Sequence, residues 1–165
     1  MTIRKVLAGV VAGIFLCPVL WPEMPAQQLA SKKALTLAVV KQLAAAAEKE
    51  ACKQRCEGVI AIVDESGILV YLERGDEAQP GGTDLAIRKA RTSYLYKRST
   101  KSFQDRIAQG ETFLMDFPEV LPAAGGEPLF VDGKLVGAVG ISGGPGGDEP
   151  MAQAVVDALA KIAAQ

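Results

Sequence analysis

The side chains of this sequence that could do chemistry do not include an imidazole. The chain has 0 His, which excludes a Ser-His-Asp triad, an imidazole general base and a histidine metal ligand. Lys89, Arg91, Lys97, Arg98 and Lys101 form a basic stretch. Lys89, Lys97 and Lys101 share roughly one face if a single helix runs through them. Such a face could hold a carboxylate ligand through charge-assisted hydrogen bonds, and it reads equally as a solvated surface. Tyr71, Tyr94 and Tyr96 read first as core or interface rings with bonded hydroxyls, and Met115 as a filler of apolar gaps. Tyr94 and Tyr96 are two positions apart on a helix, so they face different ways. Arg74 with Asp76 reads as an ion pair that fixes a loop. No spacing singles out an acid–base pair among the Lys, Asp, Glu and Tyr residues, so binding stands ahead of catalysis.

The backbone offers chemistry of its own between Gly125 and Pro150. Asp132-Gly133 is a strong two-residue hairpin signal, because a type I′ turn needs positive φ at both central positions. Leu135 to Ile141 reads as a strand carrying Gly137 and Gly140, and glycines inside a strand mark a bulge or a close backbone approach. Ser142 to Asp148 is a Gly-rich exit into a last helix, so bare backbone lies beside a helix N-terminus. The exit lacks a Walker Lys-Ser/Thr and the context of a dinucleotide fingerprint, which makes it a weak phosphate signal.

The first residues are read as a targeting segment. Arg4 and Lys5 precede the apolar run Val6 to Leu20, and Trp21 to Ala26 has the character of a cleavage region. The run is short beside the about 20 residues of a spanning helix, although an uncleaved anchor is the alternative. Residues 1–26 are therefore expected to be a signal peptide cut after Ala26, with Ala30 the alternative site, and a domain is expected over 31–165. Export places the protein in the periplasm or outside the cell, where disulfides persist. Cys52 and Cys56 then remain. Their helical spacing leaves Cβ atoms about 5–6 Å apart, wider than the about 3.8 Å of a disulfide. A bond needs the helix to loosen near Cys56, and the reading expects this because Gly58 and a strand follow at once; two free thiols are the alternative. The formal net charge is −1 with 49% hydrophobic residues, so nothing points to nucleic acid.

The elements that must position these groups follow from periodicity. Leu37, Val40, Leu43, Ala44 and Ala47 fall on one helical face after Thr36, a plausible N-cap. Val59 to Val63 and Ile68 to Glu73 form a hairpin. Gly75 to Gly82 is a loop, and Thr83 or Asp84 can cap a helix reaching about Lys97. Ser99 to Ile107 is a shorter helix. The stretch 108–124, with Phe113, Met115, Phe117, Pro118 and Pro122, reads as an ordered apolar loop. The second hairpin and a helix from about Glu149 to Ala163 close the chain. Hairpins with helices packed on them predict one α+β domain.

Taken together, the blocks VIAIVDESGILVYLERGDEA, AIRKARTSYLYKRST, GGEPLFVDGKLVGAVGISGG and GDEPMAQAVVDAL resemble the GlcG/HbpS haem-binding family, related to the C-terminal domain of PduO-type proteins. The resemblance spans about Leu35 to Ile162. It implies a five-stranded antiparallel sheet flanked by helices, similar to profilin or PAS folds, self-association into a homo-oligomer, and haem as the small-molecule ligand. The positions it carries over include Arg74 and Asp76 after the first hairpin, Lys89 and Thr92 of a Lys-Ala-x-Thr helix, Gly125 and Gly126 of a GG-x-P turn, and Ser142 in the late strand. With Tyr94 and Phe117 they make up the expected ligand-binding set. The expected pocket lies between the Lys89–Lys101 region, the Phe113–Phe117 loop and the Gly125–Gly126 turn. Without His, iron is left to Tyr, Met, Cys or water held by a Thr hydroxyl. The reading is an exported haem binder serving uptake, storage or redox sensing. Its alternatives are an enzyme acting on a small hydroxy or carboxylic acid and a non-catalytic oligomeric accessory protein. Expressed from its full sequence in a bacterial host, the protein is expected to begin at Gln27; N-terminal sequencing that returns Met1 would remove the cleaved-signal reading.

Overall fold

The computed structural model describes residues 32–54, 57–143 and 147–164. The expected signal peptide therefore lies outside the described residues, as does Cys56. Helix α1 (Leu37–Gln54) starts where the Thr36 hydroxyl accepts a hydrogen bond from the Val39 amide, at 3.3 Å. Strands β1 (Val59–Val63) and β2 (Leu69–Arg74) form the first hairpin. The Asp64 carboxylate accepts from the amides of Ser66 and Ile68 at 2.8 and 2.9 Å and so shapes the turn between them. Helices α2 (Gly82–Tyr96) and α3 (Thr100–Ala108) follow, then a 3₁₀ turn over Thr112–Asp116. Strands β3 (Gly126–Val131) and β4 (Lys134–Ser142) and helix α4 (Asp148–Ala163) complete the domain.

Among the described residues the sheet has four strands in the order β2-β1-β4-β3, all neighbours antiparallel. This corrects the expected five. The segment after α3 forms no strand, because Pro118 and Pro122 lack amide donors and side chains of α2 and α3 take up the backbone groups around them. The α2 start also differs: Gly81 occupies the N-cap and no side chain caps it. Ser99 caps α3 by accepting from the Lys101 amide.

Strand β1 is buried along its whole length, as expected of a central strand covered on both faces. Ile60 and Ile62 join Val40, Leu43, Val139, Ile141, Met151 and Val155 in the main core under α1 and α4. Val59, Ala61 and Val63 face the other way, against Ala86 and Ala90 of α2. The β3–β4 hairpin turns through Asp132 and Gly133 at φ 51° and 71°, the type I′ geometry that the dipeptide predicts. Outermost strand β2 is less covered, with Leu69, Val70 and Leu72 exposed, as is Ile68 just before it; a bulge separates Leu69 from Tyr71. The other outermost strand, β3, carries Pro128.

Gly140 sets how closely α2 approaches the sheet. A Cβ there would lie 2.0 Å from the Ala86 carbonyl oxygen and 2.5 Å from the Ala90 nitrogen. The helix thus rests directly on bare strand backbone, which is the close approach that the mid-strand glycine signals. Gly140→Ala is expected to destabilise the fold by about 3 kcal/mol through overpacking, read as a lower urea midpoint; an unchanged midpoint would contradict this contact.

Candidate functional site

Lys89 is the most deeply placed charge of the expected set. It is 4% exposed, and its Nζ donates to the Ile141 carbonyl at 2.9 Å and to Asp148 Oδ2 at 2.6 Å. Asp148 Oδ1 accepts from the Gly143 amide at 3.1 Å. Asp148 opens α4, where a carboxylate also complements the helix dipole. A Cβ on Gly125 would meet the Asp148 Cβ at 2.7 Å, and one on Gly126 would meet the Lys89 carbonyl oxygen at 2.6 Å. Lys89, Gly125, Gly126 and Asp148 therefore form one closed node joining α2, β4, α4 and the start of β3. Ser142 is buried at its edge.

The basic face that a single helix through Lys89, Lys97 and Lys101 would give does not form. Lys97 takes a left-handed conformation, φ 51°, and ends α2, so the chain turns before Lys101. Lys101 starts a different helix and pairs with Asp105 at 2.7 Å. Arg74 donates to the Ala78 carbonyl through Nε and Nη2, at 3.2 and 2.9 Å. Among the described residues no ion pair joins it to Asp76, so the loop is fixed by a side chain-to-backbone bond instead.

Thr92 is fully buried. Its hydroxyl donates to the Glu119 carbonyl at 2.6 Å and accepts from the Leu121 amide at 3.1 Å. Thr100 does the same one helix later, donating to Ala123 and accepting from the Gly126 amide. Tyr96 donates to the Pro118 carbonyl, and Gln104 accepts from the Ala124 amide. Tyr94 faces elsewhere, donating to the Glu65 carbonyl while its ring covers Gly67. Thr92, Thr100, Tyr96 and Gln104 thus tie the 118–124 segment to α2 and α3, and none of these polar groups is left pointing into an open pocket by the bonds they make. Sequence reasoning missed this fastening role; the signal was the coincidence of buried-face Thr residues with a Pro-rich segment short of donors.

What the fastened segment presents outward is apolar. Phe113, Met115 and Phe117 are 53%, 62% and 40% exposed. Phe117 stacks on Tyr96 with centroids 6.0 Å apart and meets Phe113 edge-on at 6.0 Å. Tyr96 in turn meets the buried Phe103 at 5.3 Å, and the Arg98 guanidinium lies 5.7 Å from the Phe103 ring centre. Arg91 pairs with Glu119 at 3.2 Å, with both side chains about half exposed. This surface combines aromatic faces, a free thioether and two guanidinium groups. Its chemistry suits a flat apolar ligand that carries carboxylates.

A separate cleft of about 210 Å³ lies between α1, β1 and β2, lined by Glu48, Cys52, Glu57, Ile60, Glu73 and Met151 among others. The Tyr71 hydroxyl donates to Glu73, which, with partial burial, pushes its pKa up to about 12. Desolvation, then the charge of Glu73, raises Glu48 above the ordinary carboxylate range. Cys52 is a free, exposed cysteine, and its expected partner Cys56 lies outside the described residues. Among the described residues no group of three or more Cys, Asp and Glu side chains is arranged to hold a metal ion.

Removing one member of the buried ion pair leaves the other charge without compensation. Lys89→Met and Asp148→Asn are each expected to cost about 3 kcal/mol by chemical denaturation, with Asp148→Asn the worse because it leaves the more buried charge, Lys89, unpaired; wild-type stability in both would show the node to be dispensable.

The family model described as haem degrading protein HbpS-like matches residues 35–158. Protein GlcG of Escherichia coli K12 is 34% identical over 112 residues, which cover 68% of this chain and 84% of GlcG. Among solved structures, HbpS aligns with a TM-score of 0.71 at 34% identity, covering 79% of this chain and 93% of that one. A PduOC:haem complex aligns with a TM-score of 0.69 at 30% identity, covering 76% and 95%. The match reaches from the start of α1 into the last turns of α4 and takes in the Lys89–Asp148 node and the aromatic surface alike, and by it this chain belongs to the HbpS-like family.

Proposed function

We propose that this chain is an exported, self-associating haem-binding protein and that it holds haem on the surface formed by Tyr96, Phe113, Met115 and Phe117. The observation that carries this placement is the exposed aromatic and thioether cluster beside Arg91 and Arg98; the haem complex of a family relative supports the ligand. The residues fit the group. Phe113 and Phe117 offer ring faces to a macrocycle. Arg91 and Arg98 can engage propionates in charge-assisted bonds, Arg91 by exchanging its partner Glu119. The Met115 thioether is a soft donor of the kind that serves haem iron. Bound haem would supply a redox-active iron, suited to uptake, storage or redox sensing.

The protein's own contribution is to hold this surface in place. Thr92, Tyr96 and Thr100 fix the backbone behind it, so the rings are presented with little freedom left to lose on binding. Titration of the protein with haem, followed by absorbance, is expected to give a saturable Soret band at one haem per chain. Phe113→Ala with Phe117→Ala should weaken affinity about tenfold, equivalent to about 1.4 kcal/mol, and Met115→Ala should shift the ferric spectrum. Unchanged affinity and spectrum in these exposed-site variants would overturn the placement, and no saturable band in the wild type would overturn the function.

A further inference from the structure

A second cavity, of about 250 Å³, opens between the start of α1, the tip of the β3–β4 hairpin and the end of α4. Leu35, Val39, Val131, Val136, Leu159 and Ile162 line it. Val136 and Leu159 are buried and form its floor, continuous with the main core; the others are partly buried walls. The lining contains no aromatic ring and no hydroxyl, amide or carboxyl side chain. A ligand with polar atoms along its length would leave them unpaired there, and a flat ring would find nothing to stack on. An alkyl chain meets neither difficulty.

The rim has the opposite character. Lys33 is the one ionisable residue of the lining, and its Nζ pairs with Asp132 at 2.5 Å. The segments that frame the opening carry Lys32, Lys33, Lys134 and Lys161 against the single acid Asp132. Among the described residues Lys32, Lys134 and Lys161 make no ion pair. A chain of net charge −1 thus gathers an excess of positive charge around this apolar opening. Lys33 and Lys134 both act on Asp132, holding its carboxyl below the ordinary range, so one carboxylate answers two ammonium groups.

From this juxtaposition of an aliphatic trough and a lysine rim, we infer that the cavity binds a single-chain carboxylate amphiphile, a fatty acid, with its chain along Val136 and Leu159 and its head at Lys33. Lys33 is exposed enough to exchange between Asp132 and the incoming carboxylate. The site uses different residues from the haem surface, so neither reading depends on the other.

Calorimetric titration of the full chain with octanoate, decanoate and dodecanoate, each below its micelle concentration, tests this. Saturable binding at one per chain is expected, with affinity rising about fourfold for each added CH2 until the trough is full. Ile162→Trp, which fills the mouth, should abolish binding. Lys33→Glu with Lys134→Glu should weaken dodecanoate at least tenfold while leaving dodecanol unchanged, and these exposed positions keep the test valid if the tryptophan variant misfolds. No saturable binding, or no loss in the lysine variant, would overturn the inference. So would binding confined to phosphatidylglycerol vesicles, which would make the lysines a membrane-contact surface. Displacement of dodecanoate by equimolar haem would also overturn it, by making the trough the haem site.

Discussion

The Lys89–Asp148 pair is the constraint on which the rest of the domain depends. It joins a mid-helix ammonium to the first carboxylate of the last helix, across the end of a central strand. A buried ammonium is costly unless its hydrogen bonds are met, and the Ile141 carbonyl meets one of them. The two glycines before β3 are as much a part of the pair as the charges, since any side chain at Gly125 or Gly126 would occupy the space taken by Asp148, Lys89 and Thr100. Such a node adds little net stability over a well-packed apolar alternative. What it does is fix geometry: α2, β4 and α4 can meet in only one arrangement that satisfies both charges.

From that fixed helix the remaining chemistry is arranged outward. Thr92 is three residues beyond Lys89 and reaches the loop that α2 faces; Thr100 continues the same work from α3. A segment without regular structure is thereby given backbone partners as specific as those of a strand. Leu114 and Val120 pack on Phe103 beneath it, while Phe113, Met115 and Phe117 are left on the surface. Rigid backing with an exposed aromatic face is the arrangement expected of a binding surface rather than of a core.

Much of this organisation was legible in the sequence. The helical spacing of Leu37, Val40, Leu43, Ala44 and Ala47, the β-branched run at Val59 to Val63 and the Asp132-Gly133 turn each specify local structure, and each element formed where those patterns placed it, although Leu37, at the first turn, is exposed and only the other four are buried. Gly140 was legible as a bulge or a close backbone approach, and the structure shows the latter. The site was read less well. Lys89 and Thr92 carry polar groups that in sequence look like ligand contacts, yet their partners are 59 and 27 residues away. Periodicity reports which face a residue occupies, not what faces it. The helix end near Lys97 was legible, and it is what keeps Lys89 and Lys101 from sharing one face, since that face needs a single helix through both.

The two outer strands are unlike in a way that bears on association. Pro128 leaves β3 one donor short along its edge, while β2 carries exposed Leu69, Val70 and Leu72 and no proline. A sheet with two receptive edges can propagate without limit. The missing donor makes β3 the poorer of the two edges for strand pairing, so an edge-to-edge union through β2 would leave the proline-bearing strands outermost, where a further neighbour finds a weaker template.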